Sequence, residues 1–437
     1  MGLGFESQPD HEKRFNFNKL SLLIFINTTF SHLIMSGTYL FVRHFGPLTS
    51  VEIWFNRFTV FVGPQGSGKS SIAKLYSTFL WMEKRLVRGL DTIAYFEQYS
   101  RFKKKLAAYH RIESYFYDDT EILFKGRNYM FDFRNGKLSI SPTDSDMEVG
   151  EVAKVMYVPS ERNYLSTMGN VSGLKSLPES LYTFKEEFDS ACRHYYAGLN
   201  LPIENVRYEY DRLNNISWLI GKDYKVRLTD ASSGFQAVTP LLLVTSYLSD
   251  LVGRRKAEKS GTLSVEELQR LRMEVNKVIN NPGLSDEVRE AALAGISKRY
   301  RYSGFVNIVE EPEENLFPSS QKSVLYSLIS YVLKGSGNEL VFTTHSPYMI
   351  NFLTLSIKGG EIKRKGGDEQ TIGGIVPVES LINGKEVSVY QLSNGCAEKL
   401  STYNDLPSDN NYLNNSLFET NEAFNELLDI EDAITVK

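Results

Sequence analysis

The sequence predicts an α/β fold in which a single core is interrupted by insertions. Four short apolar runs, at residues 57–62, 154–159, 305–309 and 339–344, have the composition of buried strands. A glycine-rich loop follows the first run and opens directly into a helical pattern. The chain of 437 residues has room for two or three domains or for one large domain. Because the four strands lie so far apart, we expect one discontinuous domain rather than a string of separate ones.

The first third of the chain predicts strands around one long helix. Residues 39–62 alternate apolar and polar side chains, which indicates three strands separated by turns. A helix is predicted over 70–88, and residues 92–117 also have a helical pattern. Residues 121–141 predict antiparallel strands, with Asn135-Gly136 as one of the turns. These strands form the predicted antiparallel β subdomain.

The rest of the chain predicts mainly helices that surround the later core strands. The pattern of residues 253–303 is charged and helical, and on its own it is typical of a solvated helical pair. The other predicted elements are a mostly helical region at 173–218, a hairpin that leads into the loop at 230–236, a helix at 236–252, a helix at 319–333 and a short helix from Pro347.

Three regions are predicted along the chain. Residues 1–37 form an N-terminal extension, an upstream addition from a misassigned start codon or a tail outside the core; its apolar run at 20–26 is too short to span a bilayer. Residues 38–358 form the discontinuous core domain, and residues 359–437 form a small β/helical region with an acidic, Asn-rich tail. The insertions into the core are predicted at about 82–150, 165–225 and 253–303.

Composition excludes several classes of protein. The net charge of −4 and the pI of about 6.0 give no overall attraction to nucleic acid, although a local basic patch remains possible. Two distant cysteines and no CxxC pair predict neither a disulfide framework nor a structural zinc site. These features favour a reducing, cytoplasmic location without a membrane span.

A phosphate-binding loop is predicted at "GPQGSGKS", which lies between an apolar strand and a helix. The glycines allow backbone N–H groups to turn toward phosphate oxygens, and the helix N-terminus adds a favourable dipole. Lys69 is expected to contact the β- and γ-phosphates of ATP, and Ser70 is expected to bind Mg²⁺. The predicted nucleotide-binding residues of this loop are Gly63, Pro64, Gln65, Gly66, Ser67, Gly68, Lys69, Ser70 and Ser71.

Acidic and imidazole side chains follow two further predicted strands. In "NIVEEPEENLFP" the strand delivers Glu310 as a ligand of Mg²⁺ and Glu311 as the base that orients and deprotonates the attacking water. Glu313 and Glu314 are predicted to turn away toward the next loop and a neighbouring subunit, as acids suited to a helix N-terminus. "ELVFTTHSP" ends in His345, which is predicted to sense the γ-phosphate or the attacking water.

A polar turn, "DASSGFQ", opens the helix at 236–252. Backbone amides there could bind an anion, although serine is also a common helix cap. The order of phosphate loop, Ser-Ser-Gly turn, Glu-Glu strand and Thr-His strand resembles the ABC-type ATPases. The resemblance implies that Ser232, Ser233, Gly234 and Gln236 form the signature motif, which completes the ATP site of a second, head-to-tail copy. It also assigns Asn315-Leu316 to the dimer interface.

Finer features resemble one branch of that family. "EEPEENLFP" and "VPSER" are similar to segments of the overcoming-lysogenization-defect (OLD), RecF and SMC ATPases, and this places Arg162 near the Mg²⁺ and the γ-phosphate. The later segments "VSVYQLSNG" and "NNYLNNSLFETNEAFNELL" resemble the ATPase subunits of anti-phage systems such as PARIS and Septu. That likeness implies a sensor or scaffold that controls a separate effector nuclease and answers a phage protein trigger.

A DNA repair or maintenance ATPase of RecF or SMC type remains the alternative interpretation. It requires a basic surface that faces DNA. Lys103–Lys105, Arg254–Lys256 and Lys363–Lys365 could supply that surface, although charge runs are usually only solvated faces. Salt-dependent DNA binding without a partner protein would favour this interpretation.

Overall fold

One large sheet organises the protein, as seen in a computed structural model that describes residues 37–143, 152–167, 177–253 and 263–435. Eleven strands of the described ranges form this sheet in the order β6-β5-β4-β1-β2-β15-β14-β3-β13-β12-β7. They are β1 (Tyr39–Phe45), β2 (Leu48–Trp54), β3 (Phe58–Val62), β4 (Phe116–Lys125), β5 (Tyr129–Arg134), β6 (Lys137–Pro142), β7 (Val152–Val158), β12 (Tyr302–Glu310), β13 (Glu339–Thr344), β14 (Val387–Ser393) and β15 (Cys396–Lys399).

The smaller strands lie outside this sheet. β8 (Leu199–Asn200), β9 (Arg207–Asp211), β10 (Ile216–Ile220) and β11 (Lys225–Arg227) form a four-stranded sheet, and β16 (Thr402–Tyr403) pairs with β17 (Leu406–Pro407). The α-helices of the described residues are α1 (Lys69–Val87), α2 (Ile93–Glu97), α3 (Ala107–Tyr109), α4 (Tyr164–Thr167), α5 (Glu179–His194), α6 (Ser233–Gly253), α7 (Val265–Ile279), α8 (Asp286–Tyr300), α9 (Pro318–Leu333), α10 (Pro347–Arg364), α11 (Glu369–Gly373) and α12 (Tyr412–Thr435).

The centre of the large sheet is parallel, because β3 pairs in parallel with β13 and β14, β13 with β12, and β12 with β7. β3 is buried along its whole length, which explains its continuous apolar sequence. Its side chains alternate between two cores: Phe58, Val60 and Val62 pack on one face of the sheet, and Phe61 packs on the other. β1, β2, β4, β5 and β6 extend the sheet as an antiparallel wing.

The register brings the ends of three parallel strands to one edge of the sheet. Val62 of β3 pairs with Thr344 of β13, and Thr343 pairs with Glu310 of β12. The chain therefore leaves these strands side by side at their carboxyl ends, where ligands bind in open α/β sheets. The predicted α/β fold class, with its antiparallel β subdomain, helical lobe and helical insertions, is confirmed.

The helical prediction for residues 173–218 is wrong in its second half. α5 accounts for Glu179–His194, but the chain then forms β8, β9 and most of β10. The alternation in "VRYEYD" has the period of a strand, and Asn215 adopts the positive φ of 53° that suits a tight hairpin turn. Because most side chains of this stretch are charged or polar, the alternation of apolar and polar residues that marks a strand is weak in its sequence.

The predicted helical pair at 253–303 is confirmed as α7 and α8, and α7 is fixed to the end of α1. Arg88 is fully buried and lies 2.6 Å from Glu267, while Arg85 lies 2.9 Å from Glu266. Burial acts to raise the pKa of Glu267, but Lys84 and Arg88 lower it to about 2. These ion pairs therefore hold α7 against the end of α1, the helix that begins at the phosphate loop.

Two elements bear on the predicted regions. β14 lies directly beside β3, so the central sheet includes chain from beyond residue 358.

α6 is the single helix of the described ranges that is long and apolar enough to cross a membrane, and most of its apolar stretch is buried in the core. The N-terminal extension predicted at residues 1–37 lies, except for Gly37, outside the described residues.

Candidate nucleotide-binding site

The phosphate loop has the backbone conformation that its glycines predict. Gly63 has a φ of 150°, and a side chain there would come within 2.3 Å of the Leu392 carbonyl oxygen. Gly68 has a φ of 99°, and its added Cβ would lie 2.2 Å from the Leu48 side chain. Glycine is required at both positions because of close packing as well as positive φ. α1 begins at Lys69 with no acidic residue in its first turn, so its free N–H groups suit an anion.

Lys69 is buried and folds back over the loop. Its Nζ donates hydrogen bonds of 2.8 Å to the carbonyl oxygens of Gly63 and Pro64, and it lies 3.5 Å from Nδ1 of His345. Burial lowers the pKa of the Lys69 amine to about 8, with the charges of Glu311, Glu313 and Glu310 acting in the opposite direction. The loop carbonyls thus hold an ammonium group beside His345.

Glu311 lies on the other side of the same imidazole. Its Oε1 is 2.8 Å from Nε2 of His345, and this hydrogen bond lowers the pKa of the Glu311 carboxyl. Glu311 has a φ of 43°, unusual for a residue other than glycine, and its N–H donates to the Thr343 carbonyl. The turn after β12 therefore aims Glu311 at β13, and the structure brings together Lys69, His345 and Glu311, the three predicted catalytic residues.

Glu310 is buried at the end of β12. Its Oε2 accepts weak hydrogen bonds from the N–H and Oγ of Ser160, at 3.3 and 3.4 Å. Its Oε1 is buried without a hydrogen bond of good geometry in the described part of the chain, although Tyr157 lies nearby. Burial, and then the charge of Glu310, raises the pKa of the Tyr157 phenol. The Glu310 carboxylate therefore lies between the Tyr157 phenol and Ser160, at the carboxyl end of β12.

The prediction that Glu313 and Glu314 turn away from the site is wrong. Oε1 of Glu313 accepts hydrogen bonds from Oγ1 of Thr344 at 2.6 Å and from the backbone N–H of His345 at 2.7 Å. Glu314 lies 3.5 Å from the buried guanidinium of Arg162. The positive φ at Glu311 reverses the chain, so these acids return toward the sheet edge. Burial raises the pKa of both carboxyls.

Glu313→Ala is expected to reduce both stability and ATP turnover. The substitution leaves the Thr344 hydroxyl and the His345 N–H without their acceptor, at a free-energy cost of about 1–3 kcal/mol. His345 then loses the contact that fixes its backbone. Thermal unfolding and the ATPase rate would be measured together. Glu313→Gln is the matched control, because its amide oxygen can accept the same hydrogen bonds; equal losses in the two variants would contradict the anchoring role.

Arg162 supports the acidic turn from beneath. It is fully buried and donates at 2.7 Å to the carbonyl oxygens of Glu310 and of Glu311, and at 3.1 Å to that of Ala237. These bonds connect the end of β12 to the first turns of α6. Its guanidinium is thus committed to backbone carbonyls, and direct contact between Arg162 and a nucleotide stays a prediction.

The Ser-Ser-Gly turn contacts the acidic turn after β12. Ser232 and Ser233 are exposed, and a side chain at Gly234 would come within 2.7 Å of the Asn315 carbonyl oxygen. Gln236 is buried and donates to the Thr229 carbonyl at 2.8 Å, so its side chain holds the turn rather than facing outward. Among the described residues, no hydrogen bond or ion pair connects 232–236 with the loop at 63–71.

Sequence reasoning missed three residues of this site. Ser160 contacts Glu310, Thr344 binds Glu313, and Ser346 donates at 2.6 Å to the side chain of Gln321. Ser160 lies inside "VPSER", the segment from which the role of Arg162 is predicted, so that segment was the available signal. Thr344 stood beside His345 in "TTHSP", but threonine within a strand pattern carries no functional signal of its own.

The residues present fit a nucleotide and its metal. Oγ of Ser67 is buried without a hydrogen-bond partner in the described ranges, inside the loop that would surround phosphate. The carboxylate of Glu310 and the hydroxyl of Ser70 at the start of α1 are oxygen ligands of the kind that Mg²⁺ prefers. The described residues hold no group of three His, Cys, Asp or Glu side chains able to bind a metal unaided. A metal here would therefore depend on phosphate oxygens and water as well.

No protein-family model and no curated protein matches the sequence. Solved structures match at low identity. The SMC head domain from Thermotoga maritima is 11% identical, with 84% of this chain and 100% of that chain covered and a TM-score of 0.33. The recombination mediator protein RecF is 11% identical, with 84% and 99% covered and a TM-score of 0.30. A nucleotide-free ATP-binding cassette from an ABC transporter is 12% identical, with 85% and 93% covered and a TM-score of 0.27. Identities and TM-scores this low are no argument for a shared activity.

Proposed function

We propose that this protein is an ABC-type ATPase that binds ATP with Mg²⁺ and hydrolyses it between two head-to-tail copies. The observation that carries the proposal is the contact of His345 with both Lys69 and Glu311 at the carboxyl edge of the parallel strands. Lys69, Glu311 and His345 follow β3, β12 and β13 respectively. They lie close together because these three strands are neighbours in the sheet. A cation for phosphate and a base for water are thereby placed on opposite sides of one imidazole.

Each side chain has a role that follows from its surroundings. Glu311 is ionised at neutral pH, since its pKa is lowered, and it accepts a proton from water as the water oxygen bonds to the γ-phosphorus. The bond from the γ-phosphorus to the β–γ bridging oxygen breaks, and ADP leaves with that electron pair. His345 orients Glu311, and Lys69 binds the phosphates. Ser70 and Glu310 would hold Mg²⁺, which would neutralise phosphate charge.

A second copy enters the proposal because the Ser-Ser-Gly turn has no hydrogen bond or ion pair with the phosphate loop in the described part of its own chain, and its serines are exposed. Ser232 and Ser233 are exposed at the start of α6, where free backbone N–H groups favour an anion. In a head-to-tail pair, each copy can present this turn to the loop of the other, so both sites use both chains. Asn315, packed against Gly234, lies on the same surface.

A mixing experiment tests the shared site. Ser232→Arg alone and Lys69→Ala alone are each expected to abolish hydrolysis, while Ser232→Arg still binds ATP. Mixed in equal amounts, half of the dimers contain one of each variant, and each such dimer has one intact site of two. We therefore expect about a quarter of the wild-type rate to return. A mixture as inactive as its components, or full activity of Ser232→Arg alone, would overturn the shared site.

The finer role, as the sensor or scaffold of an anti-phage complex with a separate effector nuclease, rests on the sequence resemblance. The test is phage plating on cells that carry the gene for the wild type or for Glu311→Gln. Each is expressed together with the adjacent gene in its genome, which is the candidate for the separate effector. Protection that is the same with and without the intact gene would count against this role.

The DNA-binding alternative receives little support from one of its candidate surfaces. Lys363 lies 3.0 Å from Glu369, and Lys365 pairs with Glu361, so that run is largely neutralised within the chain. Lys103–Lys105 is exposed, and Arg254–Lys256 lies outside the described residues. Salt-dependent DNA binding that is lost when Lys103–Lys105 is neutralised would revive the alternative.

A further inference from the structure

α12 is a long helix whose apolar side chains have no cover in the described part of the chain. Its first turn is attached to the core, where the N–H of Tyr412 donates to the Gln391 side chain at 2.6 Å and Leu413 is half-buried. From residue 415 to residue 434 every side chain is exposed. These twenty residues extend for about 30 Å at 1.5 Å per residue. Seven of them are large and apolar, namely Leu417, Phe418, Phe424, Leu427, Leu428, Ile430 and Ile434.

α12 has an apolar face and an acidic face along its exposed length. Leu417, Phe424, Leu427 and Ile434 recur at spacings of seven, three and seven, which places them on one face. Glu419, Glu422, Glu426 and Asp429 recur at spacings of three, four and three on the opposite face. Helices in proteins are stabilised mainly by the packing of an amphipathic face, and an exposed apolar stripe of this size is typical of an interaction surface. The pattern therefore indicates an element that is completed by a partner.

Charge decides what kind of partner fits. Tyr412–Thr435 contains six acidic residues and no lysine or arginine, while the whole chain has a net charge of only −4. A second copy of the helix would bring six more acids and no cation, whereas self-pairing helices normally balance their charges across the seam. An anionic membrane surface would repel the helix for the same reason, since interfacial helices rely on Lys and Arg.

We propose that α12 docks its apolar face into an apolar groove on a separate protein whose rim carries lysine and arginine side chains. The groove buries the stripe that begins at Leu417, and its basic rim pairs with Glu419 and Asp429, which lie at the two edges of the acidic face. The proposal goes beyond ATP hydrolysis and does not depend on it, because α12 contains no residue assigned to the nucleotide site. It gives the protein a means of carrying another polypeptide on its C-terminal helix.

The test uses the full chain and two synthetic helical peptides. Both peptides carry leucine at heptad positions a and d, and their e and g positions are all lysine in one and all glutamate in the other. We expect the wild type to bind the lysine peptide at least about tenfold more tightly than the glutamate peptide, and to lose affinity as salt rises. Leu417→Ser combined with Phe424→Ser and Leu427→Ser should weaken that binding about tenfold or more, without a change in the ATPase rate.

Matched measurements separate the alternatives. Ile375→Ser is the control variant, since Ile375 is 64% exposed and lies outside α12; it should bind the lysine peptide as the wild type does. Equal binding of the two peptides, or wild-type binding by the triple variant, would overturn the proposal. So would sedimentation showing that the wild type self-associates through α12, or binding to phosphatidylserine vesicles that the triple variant loses. A failure of ATP hydrolysis in the wild type would affect the proposed function and leave this proposal standing.

Discussion

Glu311→Gln is expected to slow ATP hydrolysis by at least about a hundredfold while ATP binding is retained. A positioned general base contributes roughly 10²- to 10⁴-fold to a rate, and an amide cannot accept the proton. Glutamine has nearly the same shape, so the contact with His345 and the turn at the end of β12 can persist. With hydrolysis blocked, ATP should accumulate in the shared sites and hold two copies together. Single-turnover hydrolysis, nucleotide affinity and sedimentation with ATP measure the three parts of this expectation.

Glu313→Gln is the matched control for this prediction, because it changes a neighbouring carboxylate in the same way. Glu313 contacts Thr344 and the His345 backbone, but it does not contact the His345 ring. The control should therefore turn over ATP at close to the wild-type rate. A wild-type rate in Glu311→Gln would remove Glu311 as the base. An equal loss in both variants would mean that the acidic turn acts only as a structural unit.

The sequence was sufficient for the phosphate loop because that motif is local. Its strand, glycines and helix follow one another within about fifteen residues, and each has a direct physical reason to be there. The four core strands could also be predicted from the sequence, since strands that are buried on both faces of a sheet are continuous apolar runs. The roles predicted for Lys69, Glu311 and His345 agree with their placement together, although only the sheet order produces that closeness.

Features that depend on long-range pairing could not be predicted in the same way. β14 joins the sheet beside β3 from more than 300 residues away, and nothing in its short apolar run specifies that neighbour. Glu313 was misplaced because spacing along a chain cannot reveal that Glu311 adopts a positive φ and reverses the direction of the backbone. The hydrogen bonds of Arg162 to the carbonyl oxygens of Glu310 and Glu311 also depend on the fold and could not be predicted from the sequence.

Lys69→Ala is expected to weaken ATP binding by roughly tenfold to a hundredfold. Hydrogen bonds to a charged group are worth about 1.5–3 kcal/mol, and the alanine variant leaves the phosphates without that donor. The loop itself should remain folded, because its turns depend on Gly63 and Gly68 rather than on the lysine side chain. Binding of a fluorescent ATP analogue and circular dichroism would separate lost affinity from lost structure. Wild-type affinity in the variant would contradict the phosphate role of Lys69.

The same lysine should make ATP binding depend on pH. Without nucleotide its pKa is about 8, so the amine is mainly protonated at pH 7 and mainly neutral at pH 9. Bound phosphate favours the ammonium form, and binding above pH 8 must therefore take up a proton. Each pH unit above this value should lower the apparent affinity by up to about tenfold, until the higher pKa of the bound state is reached. Lys69→Ala lacks the amine and should show no such slope. If the slope persists in the variant, another group titrates in this range, and the burial of Lys69 does not control the affinity for ATP.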